Sequence, residues 1–234
     1  MLETVQNQME LPSPPLGVRW GGWLLVALTA FSLGFWPLRA SHDEWWHLKT
    51  GKWIVENGYQ LPKKDIFTYT AADYDWDNHE WLSQVGMYLL YRWGEGGALG
   101  GWRAVILAKA LILLATYLLL GRLLLQRSGG GWQGFLLAVF LTLVAVAVGR
   151  KTFWPRPPVL SYFLMVFYLH VVWLYRVGRL RPTWLLALPF LMPLWANLHG
   201  GFIIGGLIIA TAFVGEILEW CWLRWAARRP SEEL

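Results

Sequence analysis

Residues 42–84 read HDEWWHLKTGKWIVENGYQLPKKDIFTYTAADYDWDNHEWLSQ, the one long polar stretch between segments that are otherwise almost wholly apolar. It opens on the acids Asp43 and Glu44 directly after a hydrophobic run. It closes on His79, Glu80 and Trp81 directly before the next apolar helix. Acids placed where an apolar segment meets water, with aromatic side chains on either side, have the layout of a reaction site at a membrane surface. The rest of the chain is organised around this loop.

Working outward, the composition excludes an ordinary soluble domain. Of 234 residues, 56% are hydrophobic, only 15% are charged and 18 are tryptophan. Apolar runs close to the roughly 20 residues needed to cross a bilayer recur along the chain, which predicts an all-α polytopic membrane protein. The tryptophans fit interfacial belts, where an amphipathic indole sits at headgroup level. The formal charge of +5 lies in short loops, so it reports topology and not a nucleic-acid partner. Cys221 is the only cysteine, which excludes an intrachain disulfide or a thiolate metal cluster.

Residues 1–19 read as an N-terminal cytoplasmic tail. Trp20 to Leu38 is the first predicted span; Glu3 and Glu10 against a lone Arg19, with bulky Trp36, argue against a cleaved signal peptide. After the loop (41–84) and a glycine-rich hinge at Gly94, Gly96, Gly97, Gly100 and Gly101, five more spans are predicted. These are Trp102–Leu120, Trp132–Gly149, Pro158–Tyr175, Trp184–Asn197 and Phe202–Trp222. The fifth is short and carries Pro189 and Pro193, so a kink is expected there. Residues 20–222 form one transmembrane domain, and 223–234 a C-terminal cytoplasmic tail.

Inside the loop, Asp43 to Glu56 reads as an amphipathic helix on the membrane surface, stopped by Asn57-Gly58, with Trp45, Trp46, Leu48, Trp53 and Ile54 as candidates for burial. Pro62 to Thr70 reads as extended and Asp73 to Asn78 as a turn. His79 to Trp93 reads as a second surface helix, with Trp81, Val85, Tyr88, Leu89 and Arg92 at helical spacing.

Basic clusters set the orientation. Arg122 and Arg127, then Arg176, Arg179 and Arg181, then Arg224, Arg228 and Arg229 fall on one side of a six-span chain, together with both termini. The positive-inside rule makes that side cytoplasmic, in an inner (plasma) membrane, and the large loop external or periplasmic. One external connection breaks the rule: Arg150, Lys151 and Arg156 crowd into nine residues, the pattern of an anion clamp or of ion pairs to the acidic loop. The last external turn adds Asn197 and His199. Topology therefore gathers Asp43, Glu44, His79, Glu80, Arg150, Lys151, Arg156, Asn197 and His199 at one face.

On these residues the chain resembles bacterial members of the GT-C superfamily of integral membrane glycosyltransferases. The matching stretches are Asp43 to Gly51, Pro62 to Tyr69, Asn78 to Leu82, Arg156-Pro157 and Trp195 to Gly201, over roughly Trp20 to Trp222. The resemblance implies a polyprenyl-phosphate-linked sugar donor, and Asp43 as the acid after the first span. That acid deprotonates an acceptor hydroxyl, or instead positions the acceptor or a divalent metal. It also implies that Glu44 is the second acid of the motif, that His79 and Glu80 line the same cavity, and that Arg150, Lys151 and Arg156 neutralise the departing phosphate. Members of that superfamily usually carry more spans and a C-terminal region, whereas this sequence stops at Leu234. The expectation is thus a minimal enzyme, half of a split enzyme, or a non-catalytic accessory subunit of a larger membrane complex on a GT-C-like scaffold.

Each residue also has a purely structural reading. An Asp-Glu pair after a span is a favourable helix start. Lys109, two turns inside the second span, either serves the anion site or snorkels to the surface. His170 reads as a packed core histidine, and His42, His47 and His79 match no standard zinc spacing. Glu216 and Glu219 are expected to pair with Arg224. Kinked helices also suit a transporter, although no internal repeat supports one.

Overall fold

The computed structural model describes residues 12–36, 43–70, 74–95, 97–98 and 100–226. Eight α-helices are seen among them: α1 Leu16–Phe35, α2 Asp43–Glu56, α3 Trp81–Gly94, α4 Trp102–Arg127, α5 Gly131–Gly149, α6 Pro158–Arg176, α7 Ala187–Leu198 and α8 Phe202–Ala226. Short 3-10 turns occupy Arg150–Thr152 and Pro182–Leu186. No strand occurs among the described residues; a single bridge joins Lys64 to Asp75. Five helices, α1, α4, α5, α6 and α8, are long and apolar enough to cross a membrane. The chain is thus an all-helical, multi-pass membrane protein.

The predicted spans fall on helices with shifted ends. α1 begins at Leu16, inside the stretch read as a tail, while Leu38 lies outside the described residues. α4 runs to Arg127, a full two turns past the expected Leu120. The predicted fifth span differs most. It is a five-residue 3-10 turn followed by the twelve-residue α7, because Pro182 starts the turn and Pro193 interrupts the later backbone ladder.

α4 is the central helix. Small residues let its neighbours close on it: a Cβ on Gly34 of α1 meets the Ala110 backbone at 3.1 Å, and one on Gly121 meets the Trp23 ring. Ala30, Leu113, Tyr117, Val146, Phe153 and Val159 then form a buried cluster joining α1, α4, α5 and α6. α7 and the turn before it run back along α6. The Trp195 indole N–H donates to Ser161 Oγ at 2.7 Å, and further along the Tyr168 hydroxyl donates to the Leu188 carbonyl at 2.6 Å. α8 then runs parallel to α6, with Gly201 beside Ser161 at one end and Glu216 and Glu219 on Arg176 at the other, 2.8 and 2.7 Å away. These acids do not pair with Arg224, whose guanidinium lies instead over the Trp220 ring, one helical turn away and within easier reach.

At the loop end, α2 and α3 pack as a crossed pair on top of α4. A Cβ on Gly51 falls on the carbonyl of Gln84, so only glycine admits this approach. The close crossing selects which face of α2 is inside. Glu44, His47, Leu48, Thr50, Gly51 and Ile54 are buried, whereas Trp45 is 59% exposed and Trp46 and Trp53 are half-buried. Leu48 and Ile54 are inside as expected and Trp46 and Trp53 partly so, but Trp45 turns out, and the polar Glu44, His47 and Thr50 turn in. On α3, Val85 and Tyr88 are buried as expected. Leu89 and Arg92 are exposed, and Gln84 and Met87 take their places.

Candidate functional site

The buried stripe of α2 faces the start of α3, the connection before α6 and the turn between α7 and α8. Their polar side chains meet there in two linked groups. In the first, Arg156 Nη1 lies 2.8 Å from Asp43 Oδ2, and its Nε is 3.9 Å from Glu44 Oε1. Asp43 stays half in water, while Glu44 is 1% exposed and neither of its carboxylate oxygens has a hydrogen-bond donor among the described residues. Asp43 thus both opens α2, where an acid suits the helix dipole, and binds Arg156.

In the second group, Glu80 is ringed by imidazoles. Its Oε1 is 3.6 Å from His199 Nε2 and 3.9 Å from His79 Nε2, and its Oε2 is 3.9 Å from His47 Nδ1. Burial raises the Glu80 carboxyl above the ordinary carboxylate range; His79 opposes this, and Asp43 adds to it. Burial pushes the His47 imidazole down to about 4, with Asp43 opposing and Arg156 and His199 adding to the fall. His199 is lowered too, by burial and by His79. The pocket favours neutral forms, which matters for any proton transfer in it.

Hydrogen bonds fix the rings. His199 Nδ1 accepts from the Gly201 amide at 2.9 Å and stands 2.8 Å from Ser161 Oγ, whose oxygen already accepts from Trp195. Ser161 therefore donates to Nδ1, and His199 carries its proton on Nε2, aimed at Glu80. Asn78 Nδ2 donates to Gln84 Oε1 at 2.8 Å, and the Gln84 amide stands 3.2 Å from His47 Nδ1. With Gln84 as the donor, His47 also holds its proton on Nε2.

Lys109 lies beneath this floor. It does not snorkel: it is 5% exposed and its Nζ donates to the Phe153 carbonyl at 3.0 Å. Lys109, Arg156, His47 and Gln84 form the polar side of a cavity of about 240 Å³, whose remaining walls include Met87, Leu90, Val105, Ile112, Val159 and Leu160. The chamber is apolar with cations at one side.

Of the predicted site residues, Asp43, Glu44, His79, Glu80, Arg156, His199 and Lys109 come together. Arg150 and Lys151 do not: both are exposed on the 3-10 turn, with no ion pair among the described residues. Asn197 holds two helices together, accepting from the Trp81 indole at 2.6 Å and donating to the Pro193 carbonyl at 2.8 Å. His47, Gln84, Ser161 and Trp195 belong to the site although the loop pattern did not place them there. His47 had a signal, since it follows Asp43 and Glu44 by one helical turn, and Trp195 opens the matched stretch Trp195 to Gly201; Ser161, inside an apolar run, had none. His42, Arg228 and Arg229 lie outside the described residues. No group of three His, Cys, Asp or Glu suited to a metal ion occurs among the described residues. No family model matches the chain, and neither does a curated protein or a solved structure.

Proposed function

We propose that the chain is a membrane glycosyltransferase module of GT-C type, acting at the external face on a polyprenyl-phosphate-linked sugar. One observation carries the reading: Arg156, which also binds Asp43, and Lys109 stand together at the polar side of an apolar cavity. An apolar chain with an anionic head fits that combination, its phosphate drawn to Arg156 and Lys109. In the reaction, an acceptor hydroxyl oxygen attacks the anomeric carbon as the bond from that carbon to the phosphate oxygen breaks. The hydroxyl proton passes to Asp43, and the leaving phosphate takes up the positive charge that Arg156 otherwise shares with Asp43. Glu80, its carboxyl raised by burial and turned toward His199, orients the acceptor.

In this reading the segment 182–198 is the fifth of six crossings. Five 3-10 residues and twelve α-helical ones reach about 28 Å, close to the hydrocarbon thickness. Both termini then lie on the basic, cytoplasmic side and the α2–α3 layer outside. The test is transfer from a radiolabelled polyprenyl-phosphate hexose by the purified full chain in nanodiscs. Turnover lost in Asp43→Asn and Glu80→Gln, with the melting temperature not lowered in either, supports the enzyme; a chain inert toward every hexose donor does not.

A second reading has its own support. The α8 surface is almost wholly uncovered, and Asp43 is already satisfied by Arg156. Both suit a non-catalytic accessory subunit whose α8 packs on another membrane protein. Purification in mild detergent separates the two readings: stoichiometric company from a large complex favours the subunit, and a chain that runs alone favours the enzyme.

A further inference from the structure

α2 has a second functional face. Around the helix, Trp45, Lys49 and Lys52 lie opposite His47, Gly51 and Ile54, so they point away from the Asp43–Glu80 site. They border a separate cleft of about 620 Å³, inside the range of roughly 300–1,000 Å³ typical of small-ligand sites. Its other walls are Trp46 and Leu48 of α2, Phe67 of the excursion between α2 and α3, and Tyr88, Tyr91 and Glu95. Five of the nine lining side chains are therefore aromatic, far more than lipid contact alone asks of a polar loop.

The rings are braced. Trp45 and Tyr91 both pack edge-on against Trp102, with centroids 5.0 and 5.7 Å apart. Phe67 and Trp46 lean on Trp76, at 5.2 and 6.0 Å. Aromatic faces fixed from behind are pre-organised surfaces, and they lose little entropy when something lies on them.

The charges at the rim decide what that something is. Lys52 is 3.7 Å from Glu56, an opposite charge one helical turn along α2. Lys49 and Glu95 have no ion pair among the described residues, and they offer ammonium donors and carboxylate acceptors to the same cleft. The balance is close to neutral, which disfavours a phosphate or a polyanion. Groups that both donate and accept, flanking apolar rings, match a polyhydroxylated ligand whose hydroxyls do both and whose C–H faces stack on aromatics.

We propose that this cleft binds an uncharged saccharide, as a site distinct from the Asp43–Glu80 centre. It does not depend on the transferase reading, since a non-catalytic subunit would hold a glycan in the same way, and the test needs no turnover.

The test is saturation-transfer NMR on the full chain in zwitterionic nanodiscs, with maltohexaose, cellohexaose and chitohexaose as probes. At least one should show saturation transfer at millimolar concentration, and Trp45→Ala or Phe67→Ala should weaken it about tenfold or more. Lys49→Gln, an exposed change that leaves packing intact, should weaken the same probe without moving the melting temperature. Silence from all three probes overturns the proposal. So does binding unchanged by Lys49→Gln and Phe67→Ala together, or a signal seen only with an oligogalacturonate and abolished by salt.

Discussion

The Lys109 ammonium stands 3.0 Å from the carbonyl oxygen of Phe153, which ties the middle of the bundle to the connection that carries Arg156. A buried cation thus holds in place the residue that pairs with Asp43. Replacing it with an apolar side chain of similar length leaves that carbonyl without its donor, a cost of about 1–3 kcal/mol. Lys109→Met should therefore lower the melting temperature in detergent and speed amide exchange at Phe153, Trp154 and Arg156. Unchanged exchange there would show that the connection stands without the tie.

Gly51 and Gly86 make a paired test of helix crossing. Gly51→Ala puts a methyl onto the Gln84 carbonyl and should destabilise the chain by about 1–3 kcal/mol through forced separation of α2 and α3. Gly86→Ala meets nothing within 4 Å, so it should be neutral or stabilising by up to about 1 kcal/mol from helix propensity. Equal melting temperatures for the two variants would contradict the crossing geometry.

His47 should mark the acid limit of stability. Its folded pKa of about 4 lies below the ordinary 6.5, so between those values the unfolded chain binds the proton that the folded chain refuses. Stability is then full above about pH 6.5 and falls as pH drops toward 4, by roughly 3 kcal/mol for this group. His47→Gln should flatten unfolding midpoints across that window. Wild type and variant falling in parallel would assign the acid sensitivity elsewhere.

Glu80 has the opposite sign. Its raised carboxyl favours the protonated folded form, a contribution present at low pH and lost as pH climbs through the raised value. At neutral pH the ionised carboxylate is a burden, so Glu80→Gln should raise the melting temperature there and lose that advantage in acid. A variant less stable than wild type at pH 7 would mean that the surrounding imidazoles over-compensate.

Ser161→Ala removes the acceptor of the buried Trp195 indole N–H and one donor to His199. Loss of about 1–3 kcal/mol is expected. Nitrogen NMR should also show the His199 ring less strictly protonated on Nε2. Ser161→Thr, which keeps the hydroxyl, should restore the tautomer even where its extra methyl strains the packing.

Periodicity and span length made most of the architecture legible: four of the helices after the loop begin within a residue of where the apolar runs place them. The fifth predicted span was not legible as drawn, because mean apolarity does not register that Pro182 opens its start as a 3-10 turn and leaves only the twelve-residue α7. α2 was legible as a helix but only partly in its facing, since Leu48 and Ile54 are inside and Trp45 is not. Hydrophobicity puts tryptophans inward, whereas Gly51 lets the helices approach so closely that the polar stripe Glu44, His47 and Thr50 becomes the interface. The charged half of the site could be read from loop order alone. Gln84 and Ser161 could not, since what matters in them is a hydrogen bond across more than thirty residues.

The way 182–198 leans on α6 has a consequence for synthesis. A 3-10 turn and a short helix interrupted by Pro193 hold themselves together poorly, and here they take the Tyr168 hydroxyl on Leu188 and the Tyr168 ring against Trp195, 5.1 Å between centroids. Both supports are made before the segment that uses them, so the emerging chain meets a template already in place. α8 follows and closes over Trp195 through Gly205, so each element of the last third of the protein packs on one that precedes it in the chain.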